Sequence, residues 1–168
     1  MPGILGLLRF RPTTAKPLME LAEVLLRGES PLSRGERELI AAQVSQLNGC
    51  QFCYNAHGTH AALQMDRGWD AVDAILTDLD GAPVSDRLRA LLRIAVAVTA
   101  GGKRVTPELV KTARAAGASD VEIHDVVLIA ASFCMYNRYV DGLGTFAPPD
   151  RTDYLESGRS IVADGYLD

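Results

Sequence analysis

The sequence predicts an all-α fold, and three observations point there. Apolar residues recur at helical spacing over most of the chain, capping sequences mark helix starts, and the alternating apolar–polar runs of half-buried strands are absent. Leu18, Leu21, Ala22, Leu25 and Leu26 form one apolar stripe, and Leu39, Ile40, Val44 and Leu47 a second. Leu88, Leu91, Leu92, Ala95 and Val96 form a third, and Ile123, Val126, Val127, Ala130 and Cys134 a fourth.

The elements follow in order. A helix near 14–27 stops at Gly28. The next opens at Ser33-Arg34-Gly35-Glu36, a capping box in which Ser and Glu side chains satisfy free backbone groups, and runs to 47. Asn48-Gly49 reads as a turn, so a new helix is expected over 50–66, with Cys50 in its first turn. Helices near 69–79 and 85–100 end at Gly81 and Gly101-Gly102. Thr106-Pro107 places Pro at the first position of a helix over 106–116, where its missing N–H costs nothing. A second capping box, Ser119-Asp120-Val121-Glu122, opens a helix over 119–137, followed by a short one over 138–145. Pro148-Pro149 break the pattern. The expected organisation is a helical domain over 1–147 and a tail over 148–168, either a surface extension or an arm for a neighbour. Segments 88–98 and 123–136 are apolar on nearly every side, and a domain this small has little room to bury both alone. A homo-oligomer is therefore expected.

The chain has 168 residues, 48% hydrophobic, which suits one domain with a substantial core and is too apolar for a disordered chain. Seventeen Lys and Arg against 21 Asp and Glu give a net charge of −4, with no basic block of the kind nucleic acid selects. The longest apolar stretches fall well short of the roughly 20 residues of a membrane span. Met1–Pro12 does not read as a secretory signal, so a cytoplasmic protein is the expectation.

Three cysteines are too few for a disulfide scaffold, but Cys50-Gln51-Phe52-Cys53 is a CxxC pair. On a helix, Cys50, Cys53 and His57 project from one face, with neighbouring β-carbons about 5–6 Å apart. A helix N-terminus favours thiolate, an imidazole can take a thiol proton, and a second cysteine can close a disulfide before over-oxidation. If the chain turns back at Asn48-Gly49, Glu38 and His57 reach similar heights and the carboxylate can orient the imidazole. On one continuous helix, Glu38 and Cys50 would instead stand about 18 Å apart along the axis. Zinc on Cys50, Cys53, His57 and His60 is disfavoured, since Cys50 and His60 would be about 15 Å apart on one helix. The cysteines as mere helix packing remain a competing reading. His60 and His124 read as surface or satisfied core residues, Cys134 as packing, and Glu36 as part of a cap. The aromatics Phe52, Tyr54, Trp69, Phe133, Tyr136 and Tyr139 read chiefly as core.

Pro31-Leu32-Ser33-x-x-Glu36-Arg37-Glu38, followed by Ser45-Gln46-Leu47-Asn48-Gly49-Cys50-x-x-Cys53-x-x-x-His57, resembles the AhpD-like alkylhydroperoxidases of the carboxymuconolactone decarboxylase family, in particular their peroxidase-related members. Ala116-Gly117-x-Ser119-Asp120-x-Glu122-Ile123 and Asn137-Arg138-x-x-Asp141 are similar to the same group. The resemblance implies a helical bundle that assembles into trimers or hexamers and reduces organic hydroperoxides without metal or other cofactor. It implies a relay of Glu38, Cys50, Cys53 and His57, with Cys53 reactive and Cys50 resolving, recharged by an external dithiol or reductase protein. The founding alkylhydroperoxidase has a second His within its CxxC, where this chain has Phe52. Two alternatives stand beside this reading: a disulfide reductase or adaptor serving a separate peroxidase, and a non-catalytic oligomeric scaffold. A lactone decarboxylase would leave the cysteine pair without a purpose.

Overall fold

A computed structural model of the chain describes residues 1–167. Among them regular structure is helical: α1 (Gly3–Phe10), α2 (Pro12–Arg27), α3 (Arg34–Leu47), α4 (Gln51–Ala62), α5 (Gly68–Thr77), α6 (Asp86–Ala100), α7 (Pro107–Ala115), α8 (Asp120–Gly142) and α9 (Leu155–Asp164). Short 3-10 turns at Gly102–Arg104 and Arg151–Tyr154 link the later helices. None of the described helices is long and apolar enough to cross a membrane.

α3 is the axis of the bundle. Both expected capping boxes form, Ser33 with Glu36 on α3 and Ser119 with Glu122 on α8. Arg87 joins the two boxes by pairing with Glu36 and Glu122, so one guanidinium ties the starts of α3 and α8 to α6. Behind its cap, α3 is buried on nearly all sides, packed by α4, α6 and α8. Leu39, Ile40 and Val44 are fully enclosed, each worth about 1.5–3 kcal/mol of apolar burial. The buried Arg37 donates to the carbonyls of Leu25 and Gly28, satisfying the end of α2.

Three elements differ from those the sequence suggests. The expected break at 137/138 does not occur: α8 runs unbroken to Gly142, because no Pro or Gly interrupts it and Asn137, Tyr136 and Val140 are all packed inside. α1, which the sequence pattern does not announce, is tied down when Gly3 N–H donates to the Phe146 carbonyl at 2.8 Å. The tail after Pro149 is not an irregular extension, although its outer face is exposed. It folds back along α4 of its own chain as α9. Gly158 permits this approach, since a side chain there would press on Thr59, His60 and Leu63.

Candidate functional site

The site is built on the turn between α3 and α4. Cys50 N–H donates to the Ser45 carbonyl at 2.9 Å and Gly49 N–H to Gln46 at 3.0 Å, a Schellman closure with Gly49 left-handed at φ 74°. The turn reverses the chain, so α3 and α4 pack as an antiparallel hairpin. Cys50 is therefore the residue that caps α4, with extended backbone, rather than part of its first turn. Cys53 follows one turn inside the helix, and His57 one turn further.

The hairpin brings Glu38 to His57. Their Oε2 and Nδ1 atoms are 2.7 Å apart, and the carboxylate is only 2% exposed. Two residues outside the expected relay join them. His60 is buried one turn beyond His57, its Nδ1 lying 3.5 Å from Glu38 Oε2 and 3.2 Å from the Tyr166 hydroxyl. Tyr166, beyond the end of α9, donates its phenolic O–H to Glu38 Oε1 at 2.7 Å. The i, i+3 spacing of His57 and His60 already places both on one helix face, so His60 was visible to sequence reasoning. For Tyr166 no local signal existed, because its position depends on how the tail folds back.

Burial opposes charge on Glu38, but the neighbouring imidazoles, His57 first, outweigh it and hold the carboxyl well below its usual range. Enclosure pulls His57 below its ordinary value, with Glu38 pulling the other way. The arrangement is an ionised carboxylate accepting the Nδ1 proton of a neutral imidazole, whose Nε2 then carries the lone pair. The Phe133 ring lies edge-to-face against His57 at 4.5 Å between centroids and limits its tilt.

Cys50 and Cys53 are free thiols. Cys50 is wholly buried, and its hydrogen bond to Cys53, then burial, push its thiol far up, so it stays protonated. Cys53 is 3% exposed and lines a cavity of about 230 Å3 together with His57, His60 and Tyr166. Apart from this polar end, the cavity is mainly apolar, with Ile4, Leu8, Leu18, Phe52 and Ile161 among its walls. The N-terminal helix and the tail thus enclose the site between them. Phe52 and Tyr136 line this cavity while also packing, and Tyr54 and Trp69 instead support the tail: Arg151 lies over the Trp69 ring at 3.6 Å and pairs with Asp73.

Among the described residues, the side chains converging closely enough to share an ion are Glu38, His57 and His60, with ligand atoms within 4.8 Å of one another. Neither cysteine is in that group. Cys134 is half-buried near Asn48, His124 stands at the surface beside Asp125, and Glu36 serves the cap and Arg87.

The carboxymuconolactone decarboxylase family model matches residues 12–77 and 65–146. An uncharacterized peroxidase-related protein from Silicibacter sp. TM1040 is 26% identical, with a TM-score of 0.80 over 92% of this chain and 78% of that one. An uncharacterized peroxidase-related protein with an alkylhydroperoxidase AhpD core, from Ralstonia eutropha JMP134, is 24% identical, with a TM-score of 0.82 over 95% and 82%. A protein of unknown function from Agrobacterium tumefaciens, whose name suggests AhpD-type antioxidant defence, is 24% identical, with a TM-score of 0.73 over 88% and 99%. At that identity the last two speak for the fold alone. No curated protein matches the chain.

Proposed function

The chain belongs to the carboxymuconolactone decarboxylase family, has an AhpD-like helical fold, and, we propose, acts as a thiol-dependent peroxidase on small organic hydroperoxides. The observation that carries this reading is the 2.7 Å contact of Glu38 with His57 at the polar end of a cavity that also holds Cys53.

In the proposed cycle His57 Nε2 accepts the Cys53 proton and Glu38 balances the resulting imidazolium. The Cys53 thiolate attacks one oxygen of the peroxide and the O–O bond breaks. The leaving alkoxide takes the proton from His57 and departs as the alcohol, leaving Cys53 as a sulfenic acid. The Cys50 thiol then condenses with it, releasing water and forming the Cys50–Cys53 disulfide. An external dithiol, as a small molecule or a reductase protein, donates two electrons and two protons to restore both thiols. No metal or organic cofactor enters the cycle.

The burial of both sulfurs favours this role over that of an adaptor. A protein disulfide must bring its own sulfur in line with the attacking thiolate, and a sulfur 3% exposed behind α1 and the tail suits a small substrate better. A cytoplasmic setting and self-association as trimer or hexamer belong to the same proposal. Val121, Leu128 and Met135 stand exposed at heptad spacing along α8, a stripe that a second copy would cover.

The test is hydroperoxide consumption by purified protein with a dithiol, comparing wild type with Cys53→Ser. Turnover in the wild type and none above background in the variant is expected. Equal rates would reject the mechanism.

A further inference from the structure

Glu38 has two carboxylate oxygens, and the relay as read from the sequence uses only one of them. The other, Oε1, takes the phenolic O–H of Tyr166 at 2.7 Å. Because that proton is committed to Glu38, the Tyr166 oxygen is free to accept from His60 Nδ1–H at 3.2 Å. Every proton in the cluster then has one place. Both imidazoles hold theirs on Nδ1, and His57 presents its Nε2 lone pair away from the carboxylate.

We propose that Tyr166 is a positioning residue of the thiol relay: its hydroxyl fixes the plane of the Glu38 carboxylate and so sets the tautomer and basicity of His57. This rests on the peroxidase reading for its consequence in turnover, though not for its geometry. A carboxylate held by one donor can rotate about its Cγ–Cδ bond, whereas donors on opposite oxygens lock it. With Glu38 only 2% exposed, water is poorly placed to take over the Tyr166 bond. The Tyr166 ring also lies nearly parallel to that of His57, 22° between planes at 6.3 Å.

The tail is anchored as a device of this kind requires. Tyr166 N–H donates to Glu23 Oε2 at 2.8 Å. Arg27, itself held by Glu23 at 3.3 Å, donates to the Ile161 and Val162 carbonyls at 2.8 and 2.9 Å and so caps α9. Between the two contacts Gly165 takes φ 109°, a left-handed bend that drops Tyr166 into the site. Two side chains of α2 therefore place one phenol from a segment lying beyond residue 146, where the family model match ends.

The experiment measures Cys53 alkylation by iodoacetamide against pH, read by peptide mass, in the full-length wild type, Tyr166→Phe and Glu23→Ala. Tyr166→Phe keeps the ring and removes only the donor. Glu38 then holds its charge on fewer bonds and draws the Nδ1 proton more strongly, so the acid limb of the profile should move up by about half a pH unit or more. Hydroperoxide kcat should fall about tenfold, the worth of one hydrogen bond to a charged group, with KM changed less than about twofold. Glu23→Ala retains the phenol but unties its backbone, and should shift the profile in the same sense by a smaller amount. If Tyr166 only fills space, the Phe profile will superimpose on the wild type, and the inference is overturned. Should Tyr166→Phe not fold, an unshifted Glu23→Ala profile overturns it equally. A wild type that alkylates with the expected profile yet consumes no hydroperoxide would defeat the peroxidase reading and leave the positioning role standing.

Discussion

His57 Nδ1 and Glu38 Oε2 meet at 2.7 Å from opposite arms of the α3–α4 hairpin, 19 residues apart in the chain. The contact is made by the turn at Asn48-Gly49, and the chemistry proposed for the protein depends on it. Replacing Glu38 by Gln keeps the shape but offers an amide where a carboxylate accepted two protons. It cannot accept from both His57 and Tyr166 in the same geometry, and it removes the charge that balances an imidazolium. Peroxide turnover should fall by roughly two orders of magnitude or more, measured as kcat against a circular-dichroism control for folding.

Cys50→Ser should separate the two halves of the cycle. Cys53 would still be oxidised once, but without its partner the sulfenic acid would persist. Trapping with dimedone and mass analysis should then place the adduct on Cys53, where the wild type gives the Cys50–Cys53 disulfide. An adduct on Cys134 instead would contradict the assignment.

Acid should unfold the protein through this same cluster. Folding lowers the pKa of both groups: His57 from its ordinary 6.5 and Glu38 from 4.5. Below those values the unfolded chain binds protons that the folded site resists, so stability falls as pH falls. The His57 contribution should begin to fade near pH 6.5, and the Glu38 contribution below about pH 4.5. Melting temperature against pH should therefore decline across this range, and His57→Gln should flatten the upper part of the slope. Stability rising on acidification from pH 7 to 5 would contradict it.

Gly58, beside His57 on α4, lies against the Trp69 ring, and a Cβ there would overlap the indole. The Trp69 ring is in turn covered by Arg151, so the indole has little room to retreat. Gly58→Ala should cost about 1–3 kcal/mol by overpacking, even though Ala favours a helix. Urea denaturation would give the value, and a stabilised variant would mean that the α4–α5 contact is looser than described.

Much of this architecture was legible locally. The capping boxes at Ser33 and Ser119, Pro107 at a helix start and the helical spacing of Leu39, Ile40 and Val44 are short-range features, and each formed where it was expected. The turn at Asn48-Gly49 was equally local, because glycine alone enters the left-handed region cheaply, and it made the Glu38–His57 encounter foreseeable. α1 was not legible, because its place is held by a bond from Gly3 to the distant Phe146.

The sequence by itself determined that the chain is helical, that Asn48-Gly49 is a turn between two helices, and that Cys53 and His57 share a face of the second, because periodicity, caps and turns act over a few residues. Only the tertiary structure decided that the site is enclosed and that Tyr166 completes it. That outcome depends on the return of a tail whose anchors, Glu23 and Arg27, lie more than 130 residues away. No local rule encodes such a pairing, since it depends on contacts between segments far apart in the chain.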